Sequence, residues 1–281
     1  MLLLLLLMSA IVIAQAGAHL VMIYETRRAC AGAREKLPAQ LWWPFALECL
    51  LVPVAVACWA LGELAPRSRR WPPLPGSPRA GRVVALVHDL SMSPVTLRLL
   101  ARRLQQRGWH PVLLSYPSHG TDLYARASVL GGELARACQE NGVAHVDVVA
   151  HGVGGLVVRA AARFDGAAAL IENLVTLGTP HQGTALASLV LGPRFAQLRP
   201  GSPFLQRLGS GDDLSGTIRI TAIASSFDAL TFPLESAYYP GAFNITVDAV
   251  GHLGMLVSTR VWQLVVENLE DRGGPAKSQA A

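Results

Sequence analysis

The sequence predicts an α/β domain, a mostly parallel sheet with helices on both faces, preceded by an N-terminal transmembrane hairpin. Three observations predict it. From Arg82 onward, short apolar runs alternate with amphipathic stretches of helical period. The runs are apolar throughout rather than at every second position, as strands covered on both faces must be. Ahead of them lie two long apolar segments separated by a polar loop.

The first segment, residues 1–24, carries no charge and exceeds the roughly 20 residues that cross a bilayer. A secretory signal is the competing reading, with Ala14-Gln15-Ala16 as a small-residue cleavage pattern. The missing basic start and the length of the run favour an uncleaved span over about 2–24. Residues 25–37 form a polar loop holding Arg27, Arg28, Arg34 and Lys36. The second segment, about 40–62, has Trp42 and Trp43 at one end and Trp59 near the other, placed as an aromatic belt. Pro44, Pro53 and Glu48 weigh against a simple span. A carboxylate at that depth has to be protonated, paired or turned toward a helix partner. An interfacial or re-entrant hairpin is the alternative. Residues 1–65 thus read as a membrane anchor, and 66–82, rich in Pro, Gly and Arg, as an extended linker.

Within 83–270 the expected strands are 83–87, 111–115, 146–150, 173–177, 218–224 and 244–249. Leu97, Leu100 and Leu104 mark one stripe of a helix over 93–107, which Gly108 ends. Further helices are expected over 122–140, ended by Gly142, over 154–164 and over 255–269. Residues 185–215 are apolar with Gly and Pro breaks, and residues 271–281 read as a flexible tail.

Composition narrows the function classes. Hydrophobic residues make up 51% and charged residues 15%, with mean hydropathy +0.35. A formal charge of +5 suggests a basic protein until it is placed along the chain. Residues 66–82 hold five arginines (Arg67, Arg69, Arg70, Arg79, Arg82) and no acid, while 1–65 and 83–281 are each balanced. A nucleic-acid footprint would spread over a folded face, so no nucleic-acid partner is expected. The four cysteines show neither CxxC nor Cys/His ligand spacing, so they form neither a disulfide scaffold nor a zinc site, and separately no metal and no cofactor are expected.

In a parallel sheet, chemistry gathers at the carboxyl ends of the strands. After the third strand stands Ala150-His151-Gly152-Val153-Gly154-Gly155, and after the fourth Leu177-Gly178-Thr179-Pro180-His181-Gln182-Gly183-Thr184. Ser226-Phe227-Asp228, with Pro233 beyond it, follows the fifth; Gly251-His252-Leu253 follows the sixth; Val87-His88-Asp89-Leu90 follows the first. These segments, in this order over about 83–270, resemble the α/β-hydrolase superfamily, specifically bacterial membrane-associated triacylglycerol lipase-like enzymes. Arg199-Pro200-Gly201-Ser202-Pro203 resembles part of their cap region. The resemblance implies an α/β-hydrolase fold with a cap or lid over about 185–215. It also implies a carboxylic-ester or lipid ligand, association with the lipid bilayer of a bacterial inner membrane, and no cofactor.

The resemblance also assigns positions. Gly152 stands at the nucleophile position of the strand–turn–helix elbow, where the pattern has serine. Asp228 would orient His252, and His252 would take the serine proton. Val153 N–H and the backbone near Leu90 would form the oxyanion hole. His151 and His181 are expected as structural neighbours. Two departures stand out: Gly152 has no hydroxyl to activate, and Asp89 replaces a glycine of the oxyanion loop, where a carboxylate would oppose a developing negative charge. Glycine adopts the strained elbow backbone freely, so the fold can lose its nucleophile without losing stability.

Three readings follow. The first is a membrane-anchored lipase-like pseudoenzyme that keeps a lipid or acyl-ester pocket. The second is a working hydrolase in which His252 and Asp228 activate a water or a relocated serine (Ser91, Ser93 or Ser118). The third is a membrane scaffold, with Glu48 facing a partner protein. The positive-inside rule faintly favours a cytoplasmic body.

Overall fold

The computed structural model describes residues 13, 15–20, 42–64, 82–90, 92–117, 122–190, 192–211 and 214–271. Most of the first apolar segment, the polar loop, the linker and the tail lie outside these residues.

Helix α1 spans Trp42–Leu64. The body then runs β1 (Val83–Val87), α2 (Arg98–Gln106), β2 (His110–Leu114), α3 (Leu123–Asn141), β3 (Val146–His151), α4 (Val153–Phe164), β4 (Ile171–Leu177), α5 (Pro203–Gly209), β5 (Arg219–Ser225), β6 (Phe243–Val247) and α6 (Thr259–Glu270). The six strands form one sheet in the order β2-β1-β3-β4-β5-β6, and each neighbouring pair is parallel. Strands and helices fall where the sequence places them.

Local chemistry explains the boundaries. Asp122 caps α3, its carboxylate accepting from Tyr124 N–H, and Gly142 closes the helix in the left-handed region. Ser258 caps α6 in the same way through Val261 N–H. The core lies on both faces of the sheet. One face packs α3 and α4 through Leu130, Leu134, Leu156 and Val157 against Ala85, Val148 and Leu174. The other packs α2 and α6 through Leu100, Leu104, Val261 and Val265 against Val84, Leu86 and Val149. Two covered faces are why these strands carry no polar alternation.

The segment after β4 forms short helical turns, Leu186–Leu189 and Pro193–Ala196, before α5. Leu198, Phe204, Leu205 and Leu208 are buried in the core on the α4 side, while Leu189 stays exposed.

Helix α1 differs from the expected span. No helix among the described residues is long and apolar enough to cross a membrane. The spanning hairpin is therefore unsupported, and one face of α1 is occupied by the protein itself. Glu48 is fully buried, and its carboxylate accepts from Leu253 N–H at 3.2 Å and Gly254 N–H at 2.5 Å. Val52 packs with Met92 and Leu253. Gly251 makes room for this contact, because a Cβ there would overlap the Glu48 carboxyl. The scaffold reading in which Glu48 meets another protein is corrected here: its partners are backbone amides of the same chain. Ahead of α1, Ala18 packs with Phe227 and Ala229, and the His19 ring lies 5.1 Å from that of Phe227.

Candidate active site

The carboxyl ends of β1, β3, β4, β5 and β6 bring the predicted residues together. At the β3–α4 junction Gly152 has φ 54° and ψ −133°. This is the sharp elbow backbone, sparsely populated for any residue with a Cβ. Gly152 N–H donates to Leu177 O, and Thr179 Oγ1 donates to Gly152 O at 2.8 Å, so β4 fixes the turn. The start of α4 then approaches the β1 loop closely: a Cβ on Gly154 would overlap the His88 carbonyl.

Asp228 and His252 meet as predicted. His252 Nδ1 donates to Asp228 Oδ2 at 2.7 Å, and both residues are buried. Asp228 is held by its own turn, Oδ1 accepting from Leu230 N–H and Thr231 N–H at 2.9 Å each.

Asp89 is where the site departs furthest from a serine hydrolase. Its carboxylate points into the elbow. Oδ1 accepts from Val153 N–H at 2.5 Å, and Oδ2 lies 3.4 Å from His252 Nε2. A Cβ on Gly152 would overlap this carboxylate. Asp89 therefore fills the space that a side chain at position 152 would take and holds the backbone donor predicted for an oxyanion. The loop that aims it is well fixed. His88 stacks on Tyr116 with ring centroids 4.5 Å apart, its Nδ1 lies 2.8 Å from Asp89 O, and Tyr116 Oη donates to His88 O at 2.8 Å. Leu90, the other predicted oxyanion position, is partly buried against the core.

Electrostatics follow the geometry. Burial alone would lower the His252 pKa, but the Asp228 and Asp89 carboxylates outweigh it and raise it well above the ordinary imidazole value. Burial pushes the Asp89 carboxyl up, yet contact with His252, the charges of His252 and His151, and Val153 N–H together hold it below the usual range. His151 is lowered to about 4 by burial and by the charge on His252. Two carboxylates around one imidazole favour a cation at this spot, whether a proton on His252 or an ion beside it.

His151 and His181 are neighbours in different senses. His151 stands beside His252, with ring centroids 4.4 Å apart. His181 turns away, its Nε2 3.0 Å from Thr176 Oγ1 and its carbonyl accepting from Arg159. Of the candidate replacement serines, Ser93 donates to the Cys58 carbonyl at 2.9 Å, whereas Ser91 and Ser118 lie outside the described residues. The sequence showed that Asp89 was out of place in an oxyanion loop, but not where its side chain points. Nothing in the spacing of Asp89, His151 and His252 pairs them.

Comparison with known proteins agrees with the fold. A family model for the PGAP1-like alpha/beta domain matches residues 118–191, the stretch from α3 through the elbow to the turn after β4. Among solved structures, the mature Bacillus licheniformis lipase BlEst2 superposes with TM-score 0.63 at 17% identity, covering 72% of this chain and 98% of that one. Aspergillus fumigatus lipase B gives TM-score 0.63 at 18% identity over 71% of this chain and 55% of its own. Est1E from Butyrivibrio proteoclasticus gives 0.51 at 16% identity over 72% and 95%. Identities this low establish the fold alone.

Proposed function

We propose that the body of the protein is a lipase/esterase-like α/β-hydrolase domain in which the serine route to ester hydrolysis is closed; the fold it shares with solved lipases supports this. The observation that carries this is the place of the Asp89 carboxylate. It occupies the volume of the side chain that Gly152 lacks and accepts from Val153 N–H, the donor a tetrahedral intermediate would need. The pair Asp228–His252 keeps the geometry that would serve a nucleophile, and position 152 offers it no hydroxyl.

The two departures belong together. A serine at 152 and this placement of Asp89 exclude each other on steric grounds. The test is a set of four full-length proteins: the natural chain, Gly152→Ser, Asp89→Gly, and the double variant. Each is treated with a serine-directed fluorophosphonate and assayed on a short-chain aryl ester, with His252→Ala in the double background as the blank. Only the double variant is expected to label and turn over, by about 10³-fold or more above the natural chain, given that removing a serine nucleophile costs about 10⁶ in a serine protease. Labelling of the natural chain would overturn the reading. A silent double variant would show that the pocket has diverged beyond these two positions.

We also propose that the protein sits at a lipid bilayer surface with its lipase-like body held close to it. The support is the outward face of α1, where Trp42, Trp43, Leu50 and Val54 are exposed while Glu48 and Val52 face the body. An apolar face rimmed with tryptophan suits the interfacial region rather than water.

A further inference from the structure

Asp89, His151 and His252 can each offer a ligand atom within 4.8 Å of the other two, and all three are buried. They come from the ends of β1, β3 and β6, three segments far apart in sequence. We infer that these three residues form a binding site for a divalent transition-metal ion, zinc by the chemistry of its donors.

Both histidines have one nitrogen engaged and one left over. His151 Nε2 donates to His252 O at 3.0 Å, and His252 Nδ1 donates to Asp228 Oδ2 at 2.7 Å. Those bonds set the tautomers and leave the lone pairs on His151 Nδ1 and His252 Nε2. Neither of these buried nitrogens has a hydrogen-bond partner among the described residues. Asp89 completes the set. Its Oδ1 is held by Val153 N–H, and its Oδ2 is the oxygen that faces His252 Nε2.

This is how protein metal sites are constructed. A ligating histidine donates its other N–H to a carboxylate or a backbone carbonyl, which fixes the ring and raises its basicity; both forms are present here. Two imidazoles and one carboxylate suit zinc and its first-row neighbours rather than calcium or magnesium. Three protein ligands leave a fourth position for water, the ligand number of hydrolytic zinc sites. Charge agrees as well, since Asp89 and Asp228 bring two negative charges to one buried spot and a divalent cation balances them.

A proton is the rival occupant. Placed on His252 Nε2 it would face Asp89 Oδ2 at 3.4 Å, an ion-pair distance without hydrogen-bond geometry, and would leave His151 Nδ1 unpartnered. The three residues lie close enough together to hold one ion among them. The inference does not depend on loss of ester turnover, because it rests on the donor geometry alone.

The full-length chain in detergent micelles, stripped with a chelator, is titrated with Co²⁺ and then with Zn²⁺. The expected result is one equivalent of Co²⁺ bound with a visible ligand-field absorption, displaced by one equivalent of Zn²⁺. Asp89→Asn, His151→Gln and His252→Gln each weaken binding at least tenfold, whereas His145→Gln, an exposed histidine away from the site, leaves it unchanged. Melting curves of the stripped proteins identify any variant that misfolds. Zn²⁺ also raises the melting temperature of the natural chain but not of Asp89→Asn. Absence of a stoichiometric site in the natural chain overturns the inference, as does binding that survives all three substitutions. Phosphonate labelling of the natural chain would refute the closed-serine reading without touching this one.

Discussion

At the residue scale, two positions explain each other. Asp89 would be an intruder in an oxyanion loop if position 152 carried a side chain. Gly152 would be a simple loss if the space beside it were empty. The aspartate fills that space, and the glycine takes an elbow backbone with φ 54°. This coupling can be measured as folding free energy. Gly152→Ala is expected to destabilise the protein by about 2–4 kcal/mol, from backbone strain of about 1–3 kcal/mol together with steric conflict. In an Asp89→Gly background the steric part disappears. A double-mutant cycle by denaturant unfolding should therefore give a coupling of about 1 kcal/mol or more, within the range for contacting residues. Simple additivity would mean that Asp89 moves aside without cost.

At the element scale, the informative contact joins α1 to the histidine loop. The sequence flagged Glu48 as too polar for the apolar segment around it. The fold places it against the amides of Leu253 and Gly254, immediately after His252. Anionic acceptors on backbone N–H groups are among the stronger hydrogen bonds, and a buried donor left unpaired costs about 1–3 kcal/mol. Glu48→Leu is expected to destabilise the full chain by about 2–4 kcal/mol and to speed proteolysis within α1. Glu48→Gln keeps one acceptor and should lose about half as much. Equal stability of all three proteins would show that α1 is not seated on the body in solution.

At the scale of the whole molecule, the placement of polar and apolar surface suggests orientation. One side of α1 is committed to the body, and its other side shows Trp42, Trp43, Leu50 and Val54 to the surroundings. The full chain is expected to co-float with lipid vesicles, and the set Trp42→Ser, Trp43→Ser, Leu50→Ser and Val54→Ser should weaken this in proportion to the apolar area removed. Flotation unchanged by all four substitutions would move the anchoring role to residues 1–24. The same architecture joins α1 to the chemical site, because Glu48 accepts from the two amides that follow His252.

The sequence by itself determined the α/β class, the strand and helix order, the elbow, and the pairing positions Asp228 and His252. These are local signals: apolar runs bounded by turn residues, helix caps and stops, and motif segments each contained within a few residues. Only the tertiary structure decided which way the Asp89 carboxylate points, that Glu48 is satisfied within the chain, and that His151 joins Asp89 and His252. Each of these depends on side chains from strand ends far apart in sequence, and no periodicity records which loops a parallel sheet will bring side by side. A residue type out of place in its own segment, such as Asp89 or Glu48, was legible; its partner lay on another strand or loop, and only folding supplied it.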